Sequence, residues 1–207
     1  MRKSSLQVGV DVPWVTSWTE EQMLGVRACP SVGGLPAICQ AEQAGYGRPQ
    51  YSKNHFVRQR LSVRHMLCPM CGQATPAEDR WTQIARRTSA GALRAAGTGA
   101  GLTAAIPDDR VVINARSIAP LHQACVERSL AHCPHLKADP NVEVMAFPSK
   151  WVILPLTVEA SPQPVAVHVL AAPQSSISVI AFLQICGVTD QTDRKWRRAL
   201  RGHSLPG

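Results

Sequence analysis

Acid is what this chain has little of. Fourteen Asp and Glu face 22 Lys and Arg across 207 residues, for a formal net charge of +8. Paired catalytic carboxylates, an HExxH helix and a nucleophile elbow are all missing, which removes the common hydrolase signatures. No uncharged apolar run reaches membrane-spanning length. The nearest, SSISVIAFLQICGV (175–188), is too short and too polar at its ends. The opening MRKSSLQVGV is basic but lacks the apolar stretch of a secretory signal. The Gly-rich AAGTGAGLTAA (95–105) has neither the lysine nor the strand-to-helix setting of a phosphate-binding loop, and reads as a flexible loop. No internal repeat is visible.

What is present is a 45% hydrophobic chain that can bury a core, with 16 Pro and 14 Gly that predict short elements and many turns. We expect an α+β fold over 1–207 as a single domain. A zinc module would occupy about 62–136, and a strand-rich segment with a closing helix 140–207. The basic balance favours acidic partners such as nucleic acid, anionic lipid or an acidic protein face, and fits equally a plain basic protein. Seven cysteines, unevenly spread and without a secretory signal, disfavour a disulfide framework. A reducing cytoplasm with metal-bound or buried thiols is the expectation, with no membrane association.

Residues 1–12 read as a loose start. TSWTEEQMLGVRAC (16–29) reads as a helix capped by Thr16 or Ser17, with Glu20 and Glu21 in its first turn. LPAICQAEQAG (35–45) reads as a second short helix, and a third starts near Asn54 as its cap. RVVINARS (110–117) is β-branched and predicts a strand. A helix follows over 119–136, with Pro120 in its first turn and Pro134 near its end. Residues 142–158 and 165–171 are strand-rich, and 175–188 is a strand or a short buried helix. The closing helix follows Thr189 or Asp190, with Trp196, Ala199 and Leu200 on one face.

The sharpest local signal is LCPMCG, which sets Cys68 and Cys71 two residues apart ahead of Gly72. Structural zinc is held by four ligands, commonly as two close pairs. The partner pair predicted here is His122 and Cys125, three apart at the start of a helix, where one turn brings both side chains to one face. Knuckle, strand and ligand-bearing helix make a treble-clef-like zinc module with short helices and a small antiparallel sheet. Cys133 lies eight residues beyond Cys125, about 12 Å along a helix, too far to share one Zn2+. It reads as a core thiol, and Cys29, Cys39 and Cys186 as buried small hydrophobes. A redox role for Cys68 and Cys71 needs the CxxC to open a helix after a strand, and plain buried thiols are the third reading.

GRPQYSKNHFVRQR (47–60), LCPMCG and PLHQACVERSLAHCPHL (120–136) together resemble a group of small zinc-binding proteins of actinobacteria and their phages. These share an HxxRQR stretch, the LCxxCG knuckle and a CxxC helix ending in CPxL. His122 stands where that group has the first helix Cys. The resemblance implies a metal site and no activity.

Four protein ligands close a zinc site, so the metal should be structural and no catalytic residue is assigned. The least remote enzyme reading, a treble-clef nuclease, needs a His in the 110–117 strand, where Asn114 stands instead. The leading expectation is a DNA- or RNA-binding protein. Its contacts would come from Lys53, His55, Arg58, Arg60 and Arg64 before and around the knuckle, and from Arg194, Lys195, Arg197 and Arg198 on the last helix. Arg48, Arg86, Arg87 and Arg201 would add to them. The competing reading pairs Arg58 and Arg60 with internal acids such as Glu42. The second hypothesis is a phage- or host-encoded protein-interaction or assembly component, in which 142–186 supplies core and partner surface. Oligomeric state is left open.

Overall fold

The chain folds around one long strand. In a computed structural model describing residues 2–97, 101–140, 142–160 and 177–202, β10 (Ile177–Thr192) is the spine of a six-stranded sheet. One edge of β10 carries β9 (Lys150–Ala160), antiparallel from Ile177↔Ala160 to Val188↔Lys150. The other edge is shared. β3 (Pro36–Gln40) meets it in parallel at Ile180↔Ala37, and β7 (Arg110–Asn114) meets it antiparallel at Cys186↔Asn114. Outside these lie β2 (Met23–Ala28) against β3 and β6 (Arg86–Ser89) against β7. Two-stranded ribbons join β1 (Thr16–Trp18) to β4 (Pro49–Asn54), and β5 (Trp81–Thr82) to β8 (Met145–Ala146). The fold is therefore α+β. Among the described residues no helix is long and apolar enough to cross a membrane.

Ile185, Leu183, Val179 and Cys186 of β10 are buried, as are Val111, Val112 and Ile113 of β7. Continuous apolar runs of this kind mark strands covered on both faces, which settles 175–188 as strand from Ile177 onward. One cover is α1 (Phe56–His65), whose Phe56 ring stacks on Phe182 at 4.6 Å between centroids. α2 (Ala90–Ala95) follows β6, and α3 (Gln123–His132) and α4 (Pro134–Ala138) follow β7. The chain's last described element is α5 (Asp193–Gly202).

Several expectations are overturned. Residues 16–29 are not a helix but β1, a turn and β2, and 35–45 contain β3. Glu21 does not sit in a helix turn: it is buried, and its carboxylate accepts the Trp18 amide at 2.8 Å. The expected small antiparallel sheet is a six-stranded one with a parallel contact. The cap of α1 is His55, not Asn54. The expected loose start is ordered over the described residues 2–12: Gln7 N–H donates to Asp11 Oδ2 at 2.7 Å, and Val12 is buried. Cys133 is half-buried at the junction of α3 and α4 rather than in the core. The expected strand at 165–171 lies outside the described residues, as do the side chains of Ala199 and Leu200.

Candidate metal centre

The knuckle is built by backbone hydrogen bonds. Cys68 N–H donates to Gln73 O at 2.7 Å, and Gly72 N–H donates back to Cys68 O at 2.8 Å. Gly72 has φ +79, and a Cβ there would meet the Trp14 ring at 2.9 Å. Only glycine combines that backbone region with so close an approach. The N-terminal segment wraps the knuckle from outside, with Trp14 N–H donating to Met70 O at 2.9 Å and Val15 N–H to Pro69 O at 3.1 Å.

The second pair comes from the start of α3. His122 is its N-cap residue and Cys125 sits one turn in. Leu121, paired with Trp81 of β5 through 2.8 and 2.9 Å hydrogen bonds, fixes where that helix begins. The ligand atoms of Cys68, Cys71, His122 and Cys125 all lie within 4.8 Å of one another, and the group could hold a metal ion. His122 Nδ1 stands 3.5 Å from Cys71 Sγ and 4.0 Å from Cys125 Sγ. Metal–sulfur bonds of about 2.3 Å and metal–nitrogen bonds of about 2.0 Å make tetrahedral edges of roughly 3.5 to 3.8 Å. The edges from His122 to Cys71 and Cys125 therefore already stand close to tetrahedral spacing.

His122 Nε2 lies 3.1 Å from Ala74 O, so that nitrogen donates and Nδ1 keeps its lone pair for a metal. Burial pushes the Cys68 thiol up. Burial together with the neighbouring Cys68 and Cys71 pushes Cys125 up to about 12. Three thiols this close cannot ionise together without a cation between them. Cys133 lies outside the group, as the helix spacing requires.

A second cluster joins Glu21, Glu42 and His55, with His55 Nε2 3.8 Å from Glu21 Oε1. Its donors are already taken. Arg58 grips Glu21 with two hydrogen bonds, Nη1 to Oε1 at 2.6 Å and Nη2 to Oε2 at 2.9 Å, and also pairs with Glu42. His55 Nδ1 accepts the Arg58 amide at 3.2 Å and Nε2 donates to Ala41 O at 3.0 Å. Burial, reinforced by Arg58, lowers the pKa of His55 and keeps its ring neutral. A guanidinium fills this cluster where a cation would sit.

This corrects the reading of HFVRQR. His55 and Arg60 are 0% exposed and Arg58 is 2% exposed, so none of the three reaches an external phosphate. The motif pins α1 to the sheet instead. Gln59 Nε2 donates to Ser117 O at 2.8 Å and Leu183 O at 2.7 Å, while its Oε1 accepts the Leu183 amide at 3.0 Å. Arg60 ties Ile38 O of β3 to Ala181 O of β10 at 2.8 and 2.7 Å. The internal-acid reading holds for Arg58, through Glu42 as expected and through Glu21, which went unforeseen. It fails for Arg60, whose acceptors are carbonyls, a hydroxyl and a thiol.

The other basic residues stay outside. Lys53, Arg64, Arg48 and Arg86 are exposed, as are Arg194, Lys195, Arg197 and Arg198 of α5, while Arg87 is held by Glu143 at 2.5 and 2.6 Å. The side chain of Arg201 lies outside the described residues. Sequence reasoning passed over Arg116, which adopts φ +53 at the end of β7 and lines a cleft of about 460 Å3 with Arg86, Asn114 and Gln184. Comparison with protein-family models, with curated proteins and with solved structures returned no match.

Proposed function

We propose that this is a zinc-stabilised nucleic-acid-binding protein. Three thiols and one imidazole form a set that suits zinc, and four protein ligands leave no coordination position for substrate. The metal's role is therefore to hold the fold. A knuckle, the antiparallel β6–β7 pair and then a helix whose start carries two candidate ligands follow the order of a treble-clef module, which supports that reading of 62–136.

The observation that carries the binding role is the charge of α5. Arg194, Lys195, Arg197 and Arg198 are exposed on one short helix, and Asp193, which accepts Arg197 Nε at 2.7 Å, is the acid within it. With Asp109, all but Lys195 line a cleft of about 470 Å3. Arg86 and Arg116 add two more cations at the far end of β7, and neither pairs with a carboxylate among the described residues. Guanidinium groups so placed suit phosphate oxygens.

Fluorescence anisotropy with duplex DNA and single-stranded RNA across a salt series tests this. Binding should weaken steeply with salt. Replacing the four α5 cations with Gln should flatten the log–log slope for duplex DNA by about 3 to 4, at about 0.9 for each phosphate no longer neutralised. Binding that is absent, or indifferent to salt, rejects the role.

One observation favours the alternative of a protein-interaction or assembly component. β2 is an edge strand with all six residues exposed, including Met23 at 54%, Leu24 at 42% and Val26 at 42%. An unpaired apolar edge accepts a further strand. Of the apolar sequence over 142–186, expected to supply both core and partner surface, Leu154, Leu183 and Ile185 are buried in the core. Val26→Lys should leave stability within about 0.5 kcal/mol, as for other surface changes. It should also abolish self-association or partner capture seen by light scattering and pull-down. Monodisperse, partner-free protein with or without the substitution disposes of this reading.

A further inference from the structure

Gln184 breaks the pattern of its strand. Leu183, Ile185 and Cys186 of β10 are buried apolar side chains, yet this carboxamide stands among them at 3% exposure. It lies across from Leu154 of β9, whose side chain belongs to the apolar cluster of Ala90, Leu93 and Val112. Breaks of this kind in a core strand concentrate at functional sites. Gln184 lines the cleft of about 460 Å3 that opens beside α2, at the opposite end of β7 from α5.

The lining continues across the sheet. Arg86, Asn114 and Cys186 are successive cross-strand partners on β6, β7 and β10, which sets their side chains on one face. The oxygen of Asn114 is engaged twice: Oδ1 accepts Arg116 N–H at 2.8 Å and the Cys186 thiol at 3.7 Å. A carboxamide oxygen has two lone pairs, so the Nδ2 hydrogens are what Asn114 offers to the cleft.

The same contact shapes Arg116. Its backbone is left-handed, at φ +53, which is uncommon for a side chain of this size. Asn114 holds its N–H, and β10 holds its carbonyl, where Ile185 N–H donates to Arg116 O at 2.8 Å. Backbone strain retained in this way clusters at ligand sites. Here it brings a second guanidinium to the cleft that Arg86 lines. Both arginines are exposed, and neither pairs with a carboxylate among the described residues. The apolar part of the lining comes from Ala92, Ala96 and Leu156.

We propose that this cleft binds one nucleoside monophosphate unit. The phosphate is taken by Arg86 and Arg116, whose forked donors suit its oxygens. The Nδ2 hydrogens of Asn114 donate to an acceptor on the base edge, and Leu156 with the two alanines covers an apolar face of the ligand. The volume falls in the range of small-molecule pockets. Such a unit comes either as a free nucleotide or as one unstacked residue of a single strand. The second source rests on the nucleic-acid reading given to α5, and the first does not.

The test titrates full-length, isotope-labelled, zinc-supplied protein with the ribonucleoside monophosphates, a base-free sugar phosphate and inorganic phosphate, read by NMR shifts at Asn114, Arg116 and Gln184. At least one nucleotide should saturate a single site about tenfold or more tighter than either base-free probe. Arg86→Gln and Arg116→Gln should each weaken it by about tenfold or more, as one charge-assisted contact is lost, and should melt like the unmutated protein. Replacing the α5 cations should leave mononucleotide affinity unchanged, so a failed salt series on duplex DNA and a failed cleft are separate results. Single-stranded RNA that displaces the nucleotide makes the strand its source, and RNA that does not makes the free nucleotide the ligand; both support the site. The proposal is overturned by the absence of shifts with every nucleotide at millimolar concentration. It is overturned equally by inorganic phosphate binding as tightly as the best nucleotide, or by unchanged affinity in both arginine variants. The ligand series uses the unmutated chain, so it stands even where a variant fails to fold.

Discussion

Exchange of Cys68 or Cys125 for serine is expected to unfold the knuckle, the start of α3 and the N-terminal wrap together, with loss of about one metal ion per chain. The expectation rests on what surrounds the four donors. The satellite core around them is small, with Cys68, Leu121, Cys125 and Val126 as its buried members. Two of those four belong to the group that could hold a metal ion, so a bound metal and the packing could not be separated. In zinc-finger peptides, metal binding supplies on the order of 10 to 16 kcal/mol near neutral pH, and it is folding free energy. Circular dichroism melting with elemental analysis reads both consequences, and a chelator should reproduce them in the unmutated chain. pH gives an independent arm. Cys68 and Cys125 hold their protons more tightly than free thiols in the metal-free site, so metal binding releases protons. Metal-dependent stability should therefore fall as the pH falls. A protein that melts identically with and without metal would remove the metal from the account.

The site was legible in the sequence because its constraint is local. Two ligands two apart, and two more three apart at a helix start, follow from chain geometry alone. The strand at 110–114 and helices α1 and α3 were legible as elements, but their boundary residues were not: the cap of α1 is His55 rather than Asn54, and α3 starts at Gln123, beyond Pro120. The N-terminal third was not. Thr16 to Cys29 carries an N-cap pattern, but Glu21 serves Arg58, 37 residues away, and that pairing is invisible to any local window. β2 is exposed along its whole length, so it shows none of the alternation that identifies a half-buried strand. Arginine misled in the same way. Arg is almost never fully buried unless paired, and the partners of Arg58 and Arg60 come from β1, β3 and β10, which only the folded sheet brings together.

Arg58→Ala should then destabilise the fold by about 3 to 5 kcal/mol, the usual consequence of stripping one partner from a buried ion pair. Two hydrogen bonds to Glu21 and one to Thr16 O at 2.8 Å would be lost, leaving the buried Glu21 carboxylate the Trp18 and Gln43 amides as its hydrogen-bond donors among the described residues. Pairing Arg58→Met with Glu21→Gln should recover much of the loss. The amide oxygen still accepts from Trp18 N–H, and no buried charge is left alone. Urea unfolding midpoints of the wild-type, single and double variants measure this directly. The same proteins decide between the two readings of HFVRQR. If the motif is a pin between helix and sheet, the folded fraction of Arg58→Ala binds nucleic acid with unchanged affinity and salt slope. Native stability combined with weakened, less salt-dependent binding would return Arg58 to the surface as a phosphate contact. The ion pair with Glu21 would then have to open in solution.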